Sequence, residues 1–136
     1  MESIYIKETG LSPKVDLDKD NNRFIIVGKS IVENAQDFYL PILEWFIEYF
    51  NDPNEKTELL FYLEYINSSS YLQIAKITEI FSQNMKNKNL MIKWLYDKED
   101  DTMQEIGEDL QFTYLVKFNF IEINDANIDN FNLSLY

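Results

Sequence analysis

A chain of 136 residues with 46% hydrophobic and 15% aromatic side chains holds enough apolar material for one core and too little length for two good ones. It contains no Cys and no His, which removes disulfides, thiolate metal sites, Cys nucleophiles, and the commonest general base and metal ligand. Twenty-four acids against twelve bases leave a net charge of −12, a surface that repels nucleic-acid phosphates and anionic lipid.

Ser3–Glu8 reads as a short strand and Lys14–Leu17 as an extended piece after Pro13. Arg23–Lys29 (RFIIVGK) is β-branched and apolar enough for a central strand. The segment from Asp16 to Asn22 opens like a calcium loop but fails its pattern. The sixth position is Asn21 where Gly is required, and the twelfth is Val27 where Glu is required. A polar hairpin turn is the expectation, because Asn and Asp tolerate left-handed backbone.

Glu33–Asn51 is expected to be a helix. Phe38, Ile42, Trp45, Phe46 and Tyr49 fall on one stripe, and Leu40, Leu43, Ile47 and Phe50 carry apolar character onto its flanks. Pro41 inside this pattern should kink the helix or delay its start. A helix apolar nearly all round is either deeply buried or half committed to a partner, and burial is the expectation.

After the turn Asp52–Glu55, Thr57–Ile66 (TELLFYLEYI) accumulates apolar residues as a strand buried on both faces does. Asn67-Ser68-Ser69-Ser70 follows, then a helix over Tyr71–Met85 with Leu72, Ala75, Ile77, Ile80 and Phe81 giving it an apolar face. Leu90–Tyr96 reads as a strand, and Asp100–Leu110 as a short helix with Asp101 as cap and Gln104 three residues on. Leu115–Ile123 alternates as a last strand with one solvated face, leaving residues 125–136 as a C-terminal tail. The order β-β-α-β-α-β-α-β predicts a single α/β domain over residues 1–136 with a mixed sheet covered by helices. Phe24, Ile26, Leu60, Tyr62, Ile92 and Trp94 should lie in or near the central strands, with Trp45, Phe46, Ile74 and Ile77 packed against them.

Chemistry concentrates in two places. At Leu63–Leu72 a buried strand ends, three hydroxyls follow and a helix begins. Strand ends of α/β sheets collect ligands, and a helix N-terminus presents free N–H groups and partial positive charge. The bland reading is helix capping, by Ser70 with Gln73 in a capping box or by Ser69. The functional reading is a phosphorylatable hydroxyl on an exposed turn, whose added charge and acceptor oxygens the helix amides would hold without an arginine. Arginine is scarce in any case: Arg23 is the only one. The second place is the acid run Asp97–Asp101, where a Mg²⁺ site at a strand end competes with a solvated turn leading into a helix. The turn is the expectation, with no tightly bound metal and no cofactor. No Gly-rich phosphate loop exists, since Gly10, Gly28 and Gly107 are far apart.

Three stretches together resemble the SiaC-type bacterial regulatory phosphoproteins, a family likened to STAS-domain anti-sigma-factor antagonists. They are Ser30–Asn34 with the aromatic helix through Trp45, then Leu63–Ser70, then Trp94-Leu95-Tyr96 followed by Asp100, Met103, Glu105, Gly107 and Glu108. The match runs from about Ser3 to Ile123. The resemblance implies a STAS-like fold and a non-enzymatic switch. A cognate Ser/Thr kinase phosphorylates a hydroxyl in the turn, and a metal-dependent phosphatase reverses it. The unmodified form binds and stimulates an effector, in the best-known system a diguanylate cyclase of c-di-GMP and biofilm signalling. The family's phosphorylated threonine falls on Ser68, with Ser69 as the alternative; Asn67, Ser69, Ser70 and Tyr71 then belong to the partner surface. No nucleic acid and no membrane are implied. No apolar run approaches the ~18 residues of a membrane span, and Met1–Gly10 lacks a basic start and apolar middle, so a cytoplasmic protein is expected. The competing readings are a small Mg-dependent enzyme built on Asp97–Asp101 and a scaffolding domain without a switch.

Overall fold

The computed structural model describes residues 1–86, 89–131 and 133. Among these, six strands form one sheet whose spatial order is the chain order: β1 (Ile4–Ile6), β2 (Lys14–Asp18), β3 (Arg23–Ser30), β4 (Lys56–Ile66), β5 (Asn89–Asp97) and β6 (Phe118–Ile123). β1, β2 and β3 pair antiparallel, and β3 through β6 pair parallel. The parallel steps are bridged by α1 (Ala35–Tyr49), α2 (Ser68–Ser82) and α3 (Asp101–Tyr114). Right-handed crossovers that all advance in one direction deposit their helices on one side. The main core accordingly joins one sheet face (Phe24, Ile26, Leu59, Phe61, Ile92, Trp94) to the buried sides of all three helices.

The parallel strands are apolar on both faces because the second face is also covered. Val27, Tyr62 and Leu95 pack with Ile123 and Leu133, flanked by Ile128 and Phe131 of a short 3-10 turn (Ile128–Phe131). Leu60 and Tyr62 therefore point away from the helices, while Phe24, Ile26, Ile92 and Trp94 point toward them. Trp45, Phe46, Ile74 and Ile77 are all buried in the helix-side core, as their periodicity predicts.

Between β2 and β3 the polar turn is a hairpin loop, with Asn22 at φ 52°. Its acids are engaged within it: Arg23 Nε lies 2.7 Å from Asp16 Oδ2, and Asn21 Nδ2 donates to Asp18 at 2.7 Å. Hydrogen bonds from Asn21 hold the Asp18 carboxyl below its usual range. Just past the last β2–β3 pair, Gly28 has φ 129°, which side chains rarely tolerate, and the Glu8 carboxylate occupies the space a Cβ would need. The β3–β4 register skips Glu64 beside this glycine, a bulge that leaves both Glu64 and Tyr65 exposed.

Four boundaries differ from expectation. α1 does not start late: it begins six residues before Pro41, whose ring lies on the exposed face. Its buried stripe takes in Tyr39, with Phe38 only half-buried. α2 begins at Ser68, three residues before Tyr71, because Asn67 and none of the serines supplies the cap. α3 runs to Tyr114 and is capped by Asp100, not Asp101; the Asp100 carboxylate accepts from Met103 N at 3.0 Å. Leu115 is the left-handed C-cap of α3 at φ 57° and is exposed, so β6 starts only at Phe118.

Candidate functional site

The carboxyl ends of β3 and β4 lie side by side, with Ser30 paired to Ile66. Asn67, the next residue, is fastened to the neighbouring loop at several points. Its backbone N–H donates to Ser30 O at 3.0 Å, and its side-chain Nδ2 donates to Val32 O at 3.0 Å. Its Oδ1 accepts from Ser70 N at 2.9 Å and from the Ser69 hydroxyl at 3.3 Å. Asn outcompetes serine for the cap here because its amide has both an acceptor for the helix and donors for the loop.

The three serines consequently become the first three helical residues and separate by angle. Ser70 turns inward and is 0% exposed. Ser30 Oγ donates to Ser70 Oγ at 2.8 Å, which leaves the Tyr39 hydroxyl to donate to Ser30 at 2.7 Å. This buried chain ties α1, β3 and α2 together. Burial pushes the Tyr39 phenol up to about 12, against the opposing effect of the Ser30 hydrogen bond. Ser69 is half-buried and turned back onto the cap. Ser68 is exposed and its hydroxyl has no hydrogen bond among the described residues. Ser70, expected on the partner surface, is thus a core residue; a side chain with no exposure cannot meet a partner.

Ser68 borders a shallow groove with Ile66, Asn67, Tyr71, Leu72 and Ile106, between the start of α2 and the middle of α3. Tyr71 is half-buried there, and partial burial, then Asp109 and Tyr114, raise its phenol above the ordinary range. The first turn of α2 carries no acid, whereas α1 has Asp37 and α3 has Asp101 in theirs. The positive end of the α2 dipole is therefore left uncompensated beside a free hydroxyl.

The acid run occupies the same edge of the sheet, at the end of β5. Asp97 accepts from the Tyr62 hydroxyl, and Asp100 is used by the helix cap. Asp97, Glu99 and Asp101 are exposed. Among the described residues no three acids gather as a metal site would require. The strand order never reverses, so the sheet edge has no switch-point crevice of the kind that holds nucleotides.

The Trp94–Glu108 motif has a packing origin. Trp94 is 1% exposed and donates from Nε1 to Met103 O at 2.9 Å. A Cβ on Gly107 would come within 2.6 Å of the Trp94 ring and 2.8 Å of Phe120, so only glycine lets α3 settle on these rings. Sequence reasoning missed the capping role of Asn67 and the roles of Ser30, Val32 and Tyr39. An Asn three residues before Ser70 at a strand end was the available signal for the first; the others are long-range contacts that leave no local trace.

Comparison with known proteins adds to this geometry. Residues 6–123 match the family model described as SiaC family regulatory phosphoprotein. An uncharacterised protein of Pseudomonas aeruginosa (strain UCBPP-PA14) is 22% identical over 112 residues, covering 82% of this chain and 89% of the other. Among solved structures, SiaC of Pseudomonas aeruginosa superposes with a TM-score of 0.76 at 22% identity, over 90% of this chain and 98% of that one. A second match, at TM-score 0.82 and 21% identity over 88% of this chain and 99% of the other, comes from a crystal structure of the diguanylate cyclase SiaD in complex with its activator SiaC from Pseudomonas aeruginosa. The mixed six-stranded sheet with three helices is the fold of these structures.

Proposed function

The chain belongs to the SiaC family of regulatory phosphoproteins, a regulator and not an enzyme, and on that premise we propose that reversible phosphorylation of Ser68 controls its binding to an effector. A cognate kinase adds the phosphate, and a metal-dependent phosphatase removes it. The unmodified protein binds and stimulates the effector, which we take to be a diguanylate cyclase by extension from the SiaD complex of the Pseudomonas protein. The observation that carries this reading is the sorting of three adjacent serines. Ser70 is buried, Ser69 is bonded to the cap, and Ser68 alone combines exposure with an unbonded hydroxyl. That favours Ser68 over Ser69 as the modified residue.

The physical consequence follows from charge. A phosphate adds roughly −1.5 to −2 charges and three acceptor oxygens. The acid-free first turn of α2 can take that charge without rearrangement. The groove of Ile66, Tyr71, Leu72 and Ile106 beside it is largely apolar. A partner seated there would have to desolvate the dianion, so modification releases the partner while the fold stays the same.

The test is intact-mass analysis after incubation with ATP and a lysate of the native host, followed by capture of partners on unmodified bait. Wild type should gain about 80 Da, the mass of HPO₃, and Ser68→Ala should not. Ser68→Ala should still capture the effector. Stoichiometric modification of Ser68→Ala would move the site to Ser69. Modification at Ser68 with no change in any partner's affinity would end the switch reading.

A further inference from the structure

α1 carries a second apolar stripe besides its buried one. Leu40, Leu43, Ile47 and Phe50 follow one another at intervals of three, four and three, the spacing of a coiled-coil seam. Leu43 and Phe50 are half-buried, while Leu40 is 49% and Ile47 59% exposed. With Ile80 of α2 the lower part of this stripe lines a groove of about 510 Å³ between α1 and α2. The adjoining stripe of α1 supplies Tyr39, Ile42, Phe46 and Tyr49 to the core, and of the second stripe Leu43 and Phe50 touch the core at its edge while Leu40 and Ile47 stay exposed.

Charge says what would cover the stripe. Asp37, Glu44 and Glu48 run along its solvent edge at intervals of seven and four. Glu44 and Glu48 stand one turn apart and repel each other, and among the described residues no Lys or Arg pairs with Glu44, Glu48 or Glu79. Lys76 is the single cation among the described residues lining the groove. A second copy of the chain would bring two such acidic rows together, on proteins that each carry a net charge of −12. A helix with an apolar seam and lysine or arginine flanks satisfies both the spacing and the charge.

We propose that the α1–α2 groove is a second docking surface, for a basic amphipathic helix of a partner protein, separate from the Ser68 turn. α1 and α2 both start at the carboxyl edge of the sheet and run away from it. About 12 Å of helix rise separates Ser68 from Lys76, and about 22 Å separates it from Gln83. Ser68 borders the α2–α3 groove, whereas Lys76, Ile80 and Gln83 line the α1 side. The surface stands independently of any event at Ser68, so it anchors a partner regardless of the switch.

The probe is a fluorescent peptide of about three heptads with Leu at a and d and Lys at e and g, read by anisotropy against a partner peptide with Glu at e and g. The lysine peptide should bind wild type and the glutamate peptide should not. Ile47→Asp should weaken the lysine peptide by about tenfold or more although it adds negative charge, an outcome opposite to that of unspecific attraction. Leu40→Asp serves as a second variant at an exposed position, with circular dichroism confirming that both fold. Joint Glu44→Lys and Glu48→Lys should invert the preference between peptides. Ser68→Asp should leave the affinity within about twofold. Unchanged or tighter binding to both Asp variants overturns the proposal. A homodimer in light scattering that Ile47→Asp dissociates overturns it in favour of a second copy, and loss of binding in Ser68→Asp overturns the separation from the switch.

Discussion

The starts of α2 and α3 share one design, found also at α1 with Asn34: a buried parallel strand, a polar turn, and a helix capped by an Asx side chain accepting from the third helical N–H. They differ in what holds the turn and in what is left over. The α2 start is held by hydrogen bonds, through Asn67 to Ser30 and Val32 and through the Tyr39–Ser30–Ser70 chain. The α3 start is held by ring packing, with Trp94 against Phe61 and Phe118 and Gly107 admitting the helix onto the indole. The first arrangement leaves a bare hydroxyl at an uncompensated dipole. The second leaves surplus carboxylates that already satisfy theirs. Only the first turn has room in its electrostatics for a phosphate, and this difference, more than the presence of hydroxyls as such, is why we propose it as the switch.

The largest expected effect breaks the packing side of the comparison. Trp94→Ala removes a fully buried ring and the donor to Met103 O, and should cost about 3–5 kcal/mol in denaturant unfolding. The hydrogen-bonded side has its own signature at high pH. Tyr39 is raised to about 12 in the folded protein against 10.0 as its ordinary value. Its folded pKa lies above the unfolded one, so its contribution is complete below pH 10 and lost as pH climbs through 12. That loss should reach about 2–3 kcal/mol, and Tyr39→Phe should flatten this part of an alkaline unfolding profile.

Next in size, the two caps should differ although both are Asx residues. Asn67→Ala loses the cap and the tie to Val32 O and should cost about 2 kcal/mol, whereas Asp100→Ala loses a cap alone and should cost about 1 kcal/mol. Equal costs would mean that the tie to the α1 loop contributes nothing. The smallest effect is the most informative for function. Ser68→Ala should change stability by less than about 0.5 kcal/mol, because the hydroxyl is exposed and bonds to nothing described, yet it should abolish modification. A cost above 1 kcal/mol would show that Ser68 helps hold the turn.

Much of the architecture was legible in the residues. Strand and helix order follows from apolar periodicity, and Phe24, Ile26, Ile92 and Trp94 were identifiable as core from runs that a parallel sheet requires. The absence of Cys and His narrowed the chemistry, and the motif around Asn67–Ser70 pointed to the turn we propose as the switch. What periodicity could not say is which of several chemically similar neighbours plays which part. Asn67 against Ser70 as cap, Asp100 against Asp101, and Ser68 against Ser69 as the accessible hydroxyl differ by a residue or two, and local propensity barely separates them. At the α2 start the choice was decided by partners more than thirty residues away along the chain: Val32 O for Asn67, Ser30 Oγ for Ser70. The two-sided character of α1 belongs to the same class. An all-round apolar helix announces buried area, but only the position of the sheet determines which stripe is covered and which stays in solvent, because the covering surface is assembled from strands distant in sequence.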